Sequence, residues 1–125
     1  MQGLQLTADL RGCAARRPLM TDTDALRAAC LAAVDHSGLR AVGELFHRFA
    51  PGPVAGADPV GITGVVLLAE SHLAVHTWPE IEAATLDVYV CNFGADNSAR
   101  AEALLAALVD AFAPSQVERQ MLRRG

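Results

Sequence analysis

The chain has 125 residues, of which 52% are hydrophobic and 19% charged, with a formal net charge of −4. That length suits one domain with a real core, and the composition excludes a disordered chain and gives no reason to expect nucleic acid or an anionic membrane as partner. All ten basic residues are arginines, which excludes a pyridoxal-phosphate enzyme, because that cofactor needs a lysine Schiff base.

In chain order, Leu4, Leu6, Ala8 and Leu10 alternate with polar residues and predict a half-buried strand ending at Arg11-Gly12. Thr21 to Asp24 offers capping oxygens for a helix with an apolar face of Leu26, Ala29, Cys30, Ala33 and Val34, ending near Ser37-Gly38. Leu39 to Phe49 reads as a second strand. Residues 50 to 61, "APGPVAGADPVG", hold three prolines and three glycines and read as a loop. Strand-like runs follow at Thr63 to Glu70, Leu73 to Thr77 and Ala84 to Cys91. Asn97-Ser98 is placed to cap a last helix with Ala101, Leu104, Leu105, Leu108 and Phe112 on one face. Val117, Arg119, Met121 and Arg123 alternate weakly, as in a short final strand.

Strands grouped with two amphipathic helices predict a single α+β domain over 1–125, a two-layer sandwich. Val65 to Leu68 is apolar at successive positions, so that strand is expected to be covered on both faces, by helices and by a partner subunit. A homodimer is therefore expected. Cys13, Cys30 and Cys91 are odd in number without CxxC spacing, which indicates neither a disulfide framework nor a zinc ribbon. The N-terminus lacks a basic region followed by an apolar signal core, and no apolar run approaches the roughly 20 residues of a membrane span. A cytoplasmic protein is expected.

His72 and His76 have a spacing that grips zinc on a helix, but Val75, Thr77 and Pro79 make the segment a poor helix. On a strand four residues span about 13 Å, too far for one ion with ligand bonds of about 2 Å. No metal site is expected. Ser71 lacks the GxSxG elbow of a Ser-His hydrolase. Taken singly, Cys91, Phe49, Trp78 and Glu80 have ordinary readings as small core residue, rim aromatics and solvated acid.

Together they do not. The stretch "GITGVVLLAESHLAVHTWPE", followed by "LDVYVC" ending at Cys91, resembles the proenzyme of bacterial S-adenosylmethionine decarboxylase. The likeness runs from "ADLRGC" at residues 8 to 13 to the closing "RRG". It implies an antiparallel sheet backed by two helices, with sheets paired across a homodimer and active sites at the interface. It also implies self-cleavage at Glu70-Ser71 into a β chain, 1–70, and an α chain, 71–125, the latter headed by a pyruvoyl group formed from Ser71. A pyruvoyl ketone takes a substrate amine as a Schiff base without lysine. The product would be the aminopropyl donor for spermidine.

By the same resemblance His76 abstracts the Ser71 α-proton, and Thr63 stands where the family has a processing serine. Cys91 reprotonates the substrate carbon. Phe49 stacks on adenine, Glu80 accepts from the ribose hydroxyls, and Trp78 supplies an electron-rich face for the sulfonium. Simple alternation puts Ser71 and His76 on opposite faces, so a break near His72 is expected. Two departures from the family's pattern stand out: the extra "GPVAGADPV" after "RFAP", and Ile81-Glu82 in place of the usual aromatic and glycine. Asp58 and Glu82, in those segments, would suit the distal cation of arginine or ornithine, so a pyruvoyl-dependent decarboxylase of basic amino acids is one alternative. An unprocessed regulatory homologue is the other.

Overall fold

Period-two alternation dominates the chain and builds the sheet. The computed structural model describes residues 1–50 and 60–125, so Asp58 and most of the Gly-Pro-rich loop lie outside the described residues. The elements are β1 (Gly3–Arg11), α1 (Pro18–Thr21), α2 (Thr23–His36), β2 (Ala41–Arg48), β3 (Ile62–Leu68), β4 (Ser71–Trp78), a 3₁₀ turn (Pro79–Ile81), β5 (Ala83–Cys91), α3 (Ser98–Phe112) and β6 (Gln116–Arg124). Among the described residues the strands form one six-stranded sheet in the order β2-β3-β4-β5-β1-β6. Every ladder is antiparallel.

One face of the sheet carries Leu4, Leu6, Ala8, Leu10, Val66, Leu73, Val75, Leu86, Val88 and Val90, all buried. The α2 and α3 helices cover it: α3 packs on β1 and β5, α2 on β2 and β3. Leu26, Cys30 and Val34 of α2 and Leu104, Leu105, Leu108 and Phe112 of α3 supply the other half of the core. This is the expected sheet backed by two helices. Burial pushes the Cys30 thiol up to about 12. The Asp22 carboxylate caps α2, accepting from the Asp24 and Ala25 amides.

Several boundaries differ from the sequence reading. Glu70 ends no strand; it sits in the turn between β3 and β4. The final strand is not short: β6 pairs with β1 along nine residues. Asn97 does not cap α3 with its side chain; Asp96 accepts from the Ser98 amide at 2.9 Å, which holds the Asp96 carboxyl below its ordinary range. The double coverage expected at β3 is half fulfilled. Val66 and Leu68 face the helices, whereas Leu67 is 51% exposed on the open face beside Val65. No helix among the described residues is long and apolar enough to cross a membrane.

Candidate active site

Leu68 pairs with Ser71, leaving Ala69 and Glu70 as a two-residue hairpin turn. Glu70 adopts φ 55°, a left-handed conformation that costs a non-glycine residue about 1–3 kcal/mol. The Glu70–Ser71 bond thus leaves a strained, exposed corner. Ser71 is half-buried, and its Oγ accepts the Cys91 amide at 3.1 Å. The side chain occupies the point where the β4–β5 ladder, last paired at His72–Tyr89, runs out of backbone partners.

Cys91 is fixed from its own side. Asn97 Nδ2 donates to the Cys91 carbonyl at 2.8 Å, and Asn92 Oδ1 accepts the Asn97 amide at 2.8 Å. The Phe93 amide reaches the Cys91 Sγ at 3.5 Å. Sequence reasoning missed this bracing; the Asn-rich stretch after Cys91 was its only signal.

The second group lies on the open face, toward the other end of β4. Thr63 and His76 are directly opposite in the β3–β4 ladder, with Thr63 Oγ1 2.9 Å from His76 Nδ1. His76 stacks on Trp78 at 5.7 Å. Trp78, 38% exposed, leads into the turn that presents Glu80 to solvent. Phe49, 49% exposed, follows β2, its amide bonded to the Gly61 carbonyl and its ring edge-on to His47 at 5.1 Å.

The sites named from sequence therefore fall into two clusters: Glu70, Ser71 and Cys91 at one end, and Thr63, His76, Trp78, Glu80 and Phe49 toward the other. No break occurs at His72. The β4 strand is continuous because both neighbours pair with it there, Leu67 of β3 and Tyr89 of β5. Ser71 lies on the face of Leu73, Val75 and Thr77, and His76 on the other. Five residues at strand rise put Ser71 and His76 about 16 Å apart.

A family model described as S-adenosylmethionine decarboxylase matches residues 4–125. The chain belongs to this family. An S-adenosylmethionine decarboxylase proenzyme of Acidithiobacillus ferrooxidans is 34% identical over 98% of this chain and 82% of its own. That of Aquifex aeolicus is 32% identical over 98% and 81%. The crystal structure of the adenosylmethionine decarboxylase from Aquifex aeolicus VF5 superposes with a TM-score of 0.83 at 31% identity, covering 98% of this chain and 90% of that one. A Trypanosoma brucei AdoMetDC-delta26 monomer has the same fold, with a TM-score of 0.57 at 15% identity, over 93% of this chain and 44% of that one.

Within the family motif, "HTWPE" divides by face. His76, Trp78 and Glu80 look outward. Thr77 is buried: its Oγ1 donates to the Met20 carbonyl and accepts the Ile62 amide, both at 2.9 Å. Its role is structural, and strict alternation was the signal for it. Glu82, the departure from the family's glycine, keeps the left-handed conformation that glycine adopts without cost, at φ 52°.

Proposed function

We propose that this chain is a self-cleaving, pyruvoyl-dependent decarboxylase of S-adenosylmethionine, acting as a homodimer of cleaved protomers in the cytoplasm. The Glu70–Ser71 hairpin is the observation that carries the reading. A serine hydroxyl follows a strained, exposed residue, within a family whose relatives are named proenzymes. In processing, the Ser71 Oγ attacks the Glu70 carbonyl carbon and the peptide C–N bond breaks, leaving an ester. His76 removes the Ser71 α-proton, and the ester's Cβ–O bond breaks, releasing the Glu70 carboxylate. Water then displaces ammonia from the dehydroalanine at position 71. In the tautomer where His76 Nδ1–H donates to Thr63 Oγ1, Nε2 is free to take the proton. The threonine retains the hydroxyl of the family's serine.

The pyruvoyl group supplies an electron sink for the substrate's α-carbon as carbon dioxide leaves. Cys91 returns a proton to that carbon. Phe49 stacks on adenine, Trp78 faces the sulfonium, and Glu80 accepts from the ribose. The product serves as aminopropyl donor for spermidine.

A second copy laid sheet to sheet and antiparallel would bring the Cys91 end of one open face over the His76 and Thr63 end of the other. Ser71, which starts β4 on the helix-facing side, would have to turn outward at that strand end to join them. The exposed Leu45 and Leu67 and half-buried Val65 on the open face support this packing. Three free cysteines support a reducing compartment. The basic amino-acid alternative loses ground at Glu82, whose carboxylate is already engaged by the Ala15 amide.

The test is intact mass followed by a substrate panel. Purified protein should give residues 1–70 and 71–125, the latter blocked to Edman chemistry, and Ser71→Ala should remain one chain. Carbon dioxide should come from S-adenosylmethionine and not from arginine or ornithine. A wild-type protein that stays intact and inactive on prolonged incubation would sink the reading.

A further inference from the structure

The turn that presents Glu80 is held at both ends by the segment that follows β1. Upstream, the Thr77 hydroxyl donates to the Met20 carbonyl at 2.9 Å. Downstream, Glu82 is engaged at three points. Its amide donates to the Pro79 carbonyl at 3.2 Å, its carbonyl accepts the Cys13 amide at 2.8 Å, and its Oε2 accepts the Ala15 amide at 2.9 Å. Between these pins Pro79 is buried, while Glu80 and Ile81 are exposed.

A left-handed backbone at position 82 is sterically easiest for glycine, yet this chain carries glutamate there. Only a side chain reaches the Ala15 amide. We infer that Glu82 is a positioning residue for substrate: its carboxylate ties the 79–81 turn to the 13–15 loop and so fixes where Glu80 meets the ribose. This rests on the decarboxylase reading and on the ribose role of Glu80. Without the tie, the turn would hold its binding position for only a fraction of the time, and apparent affinity falls by that fraction.

The cleaved holoenzyme of wild type, Glu82→Gly and Glu82→Gln should be compared by steady-state kinetics with S-adenosylmethionine and by amide hydrogen exchange at Ala15. Glycine relieves the backbone strain while deleting the tie, so this variant should fold at least as stably. Its KM should rise about fivefold if the turn is in place a fifth of the time, with kcat within about twofold, because the group acts in binding alone. Ala15 exchange should quicken in the same variant. Glutamine keeps an acceptor oxygen and should restore both readouts toward wild type. An unchanged KM in Glu82→Gly, beside an active wild type, overturns the inference alone. Faster Ala15 exchange without a KM change also overturns it, since the tie would then be structural only. A wild type that does not turn over S-adenosylmethionine overturns this inference together with the reading beneath it.

Discussion

Ser71 is approached from two directions, by the strained Glu70 at its amide and by the Cys91 backbone at its hydroxyl. The Cys91 carbonyl and thiol are in turn held by Asn97 and the Phe93 amide, a fixed setting that suits the proton donor proposed for Cys91. In processed Cys91→Ala, decarboxylation should fall by about 10²- to 10⁴-fold, the usual weight of a positioned acid. Misplaced protonation should also inactivate the enzyme by abortive transamination of the pyruvoyl group, visible as a mass change on the 71–125 piece. Normal turnover in that protein would return Cys91 to a packing role. The roles proposed for Ser71, Cys91 and His76 come from a long motif. The left-handed Glu70 was not legible there, because an apolar run leading into Glu-Ser-His reads as strand until the pairing of Leu68 with Ser71 closes the turn.

The β4 strand serves two faces, and its buried side explains part of a motif that otherwise reads as chemistry. Thr77→Val keeps shape but orphans the Ile62 amide and the Met20 carbonyl inside the protein. It should destabilise by about 2–4 kcal/mol, as two buried unpaired groups do, seen as a lower urea midpoint with unchanged slope. Alternation made β1, β4 and β5 readable, and amphipathic spacing did the same for α2 and α3. The β6 strand was harder. All of its residues are exposed, so it lacks a buried face to impress a pattern on the sequence, and its nine-residue length comes from pairing with β1.

In the molecule as a whole, the proposed cut separates β1, α1, α2, β2 and β3 from β4, β5, α3 and β6, but β1 lies between β5 and β6 in the sheet. Ladders from β1 to both neighbours, and from β3 to β4, should keep the pieces together, so they should co-purify and part only in denaturant. The open face should bind a second copy. Leu67→Arg puts a charge on its apolar part and should weaken the dimer by at least about 30-fold, the equivalent of losing one central anchor. Sedimentation should then show monomer at micromolar concentration, and self-cleavage should slow with it. Cleavage at the normal rate by a proven monomer would refute a site shared between copies. Stability should also fall in alkali through Cys30. Its ordinary pKa of 9.0 is raised to about 12 in the fold, so above 9 the unfolded chain loses a proton that the native chain keeps. Stability is thus full below pH 9 and declines as pH rises toward 12, by at most about 1.4 kcal/mol per pH unit. Cys30→Ala should flatten that alkaline decline in urea titrations while lowering stability at neutral pH.

The family and the helix-backed antiparallel sheet were present in the residues, as was the serine proposed to react, because alternation, helical spacing and one long motif are local patterns. The separation of that serine from His76 was not, nor was the tie between Glu82 and Ala15. Each depends on which strands become neighbours and on where a turn closes, and those are set by non-local pairing across the sheet. Thr63 meets His76 across a ladder, whereas Ser71, five residues from His76 along one strand, is kept on the opposite face by the pleat itself.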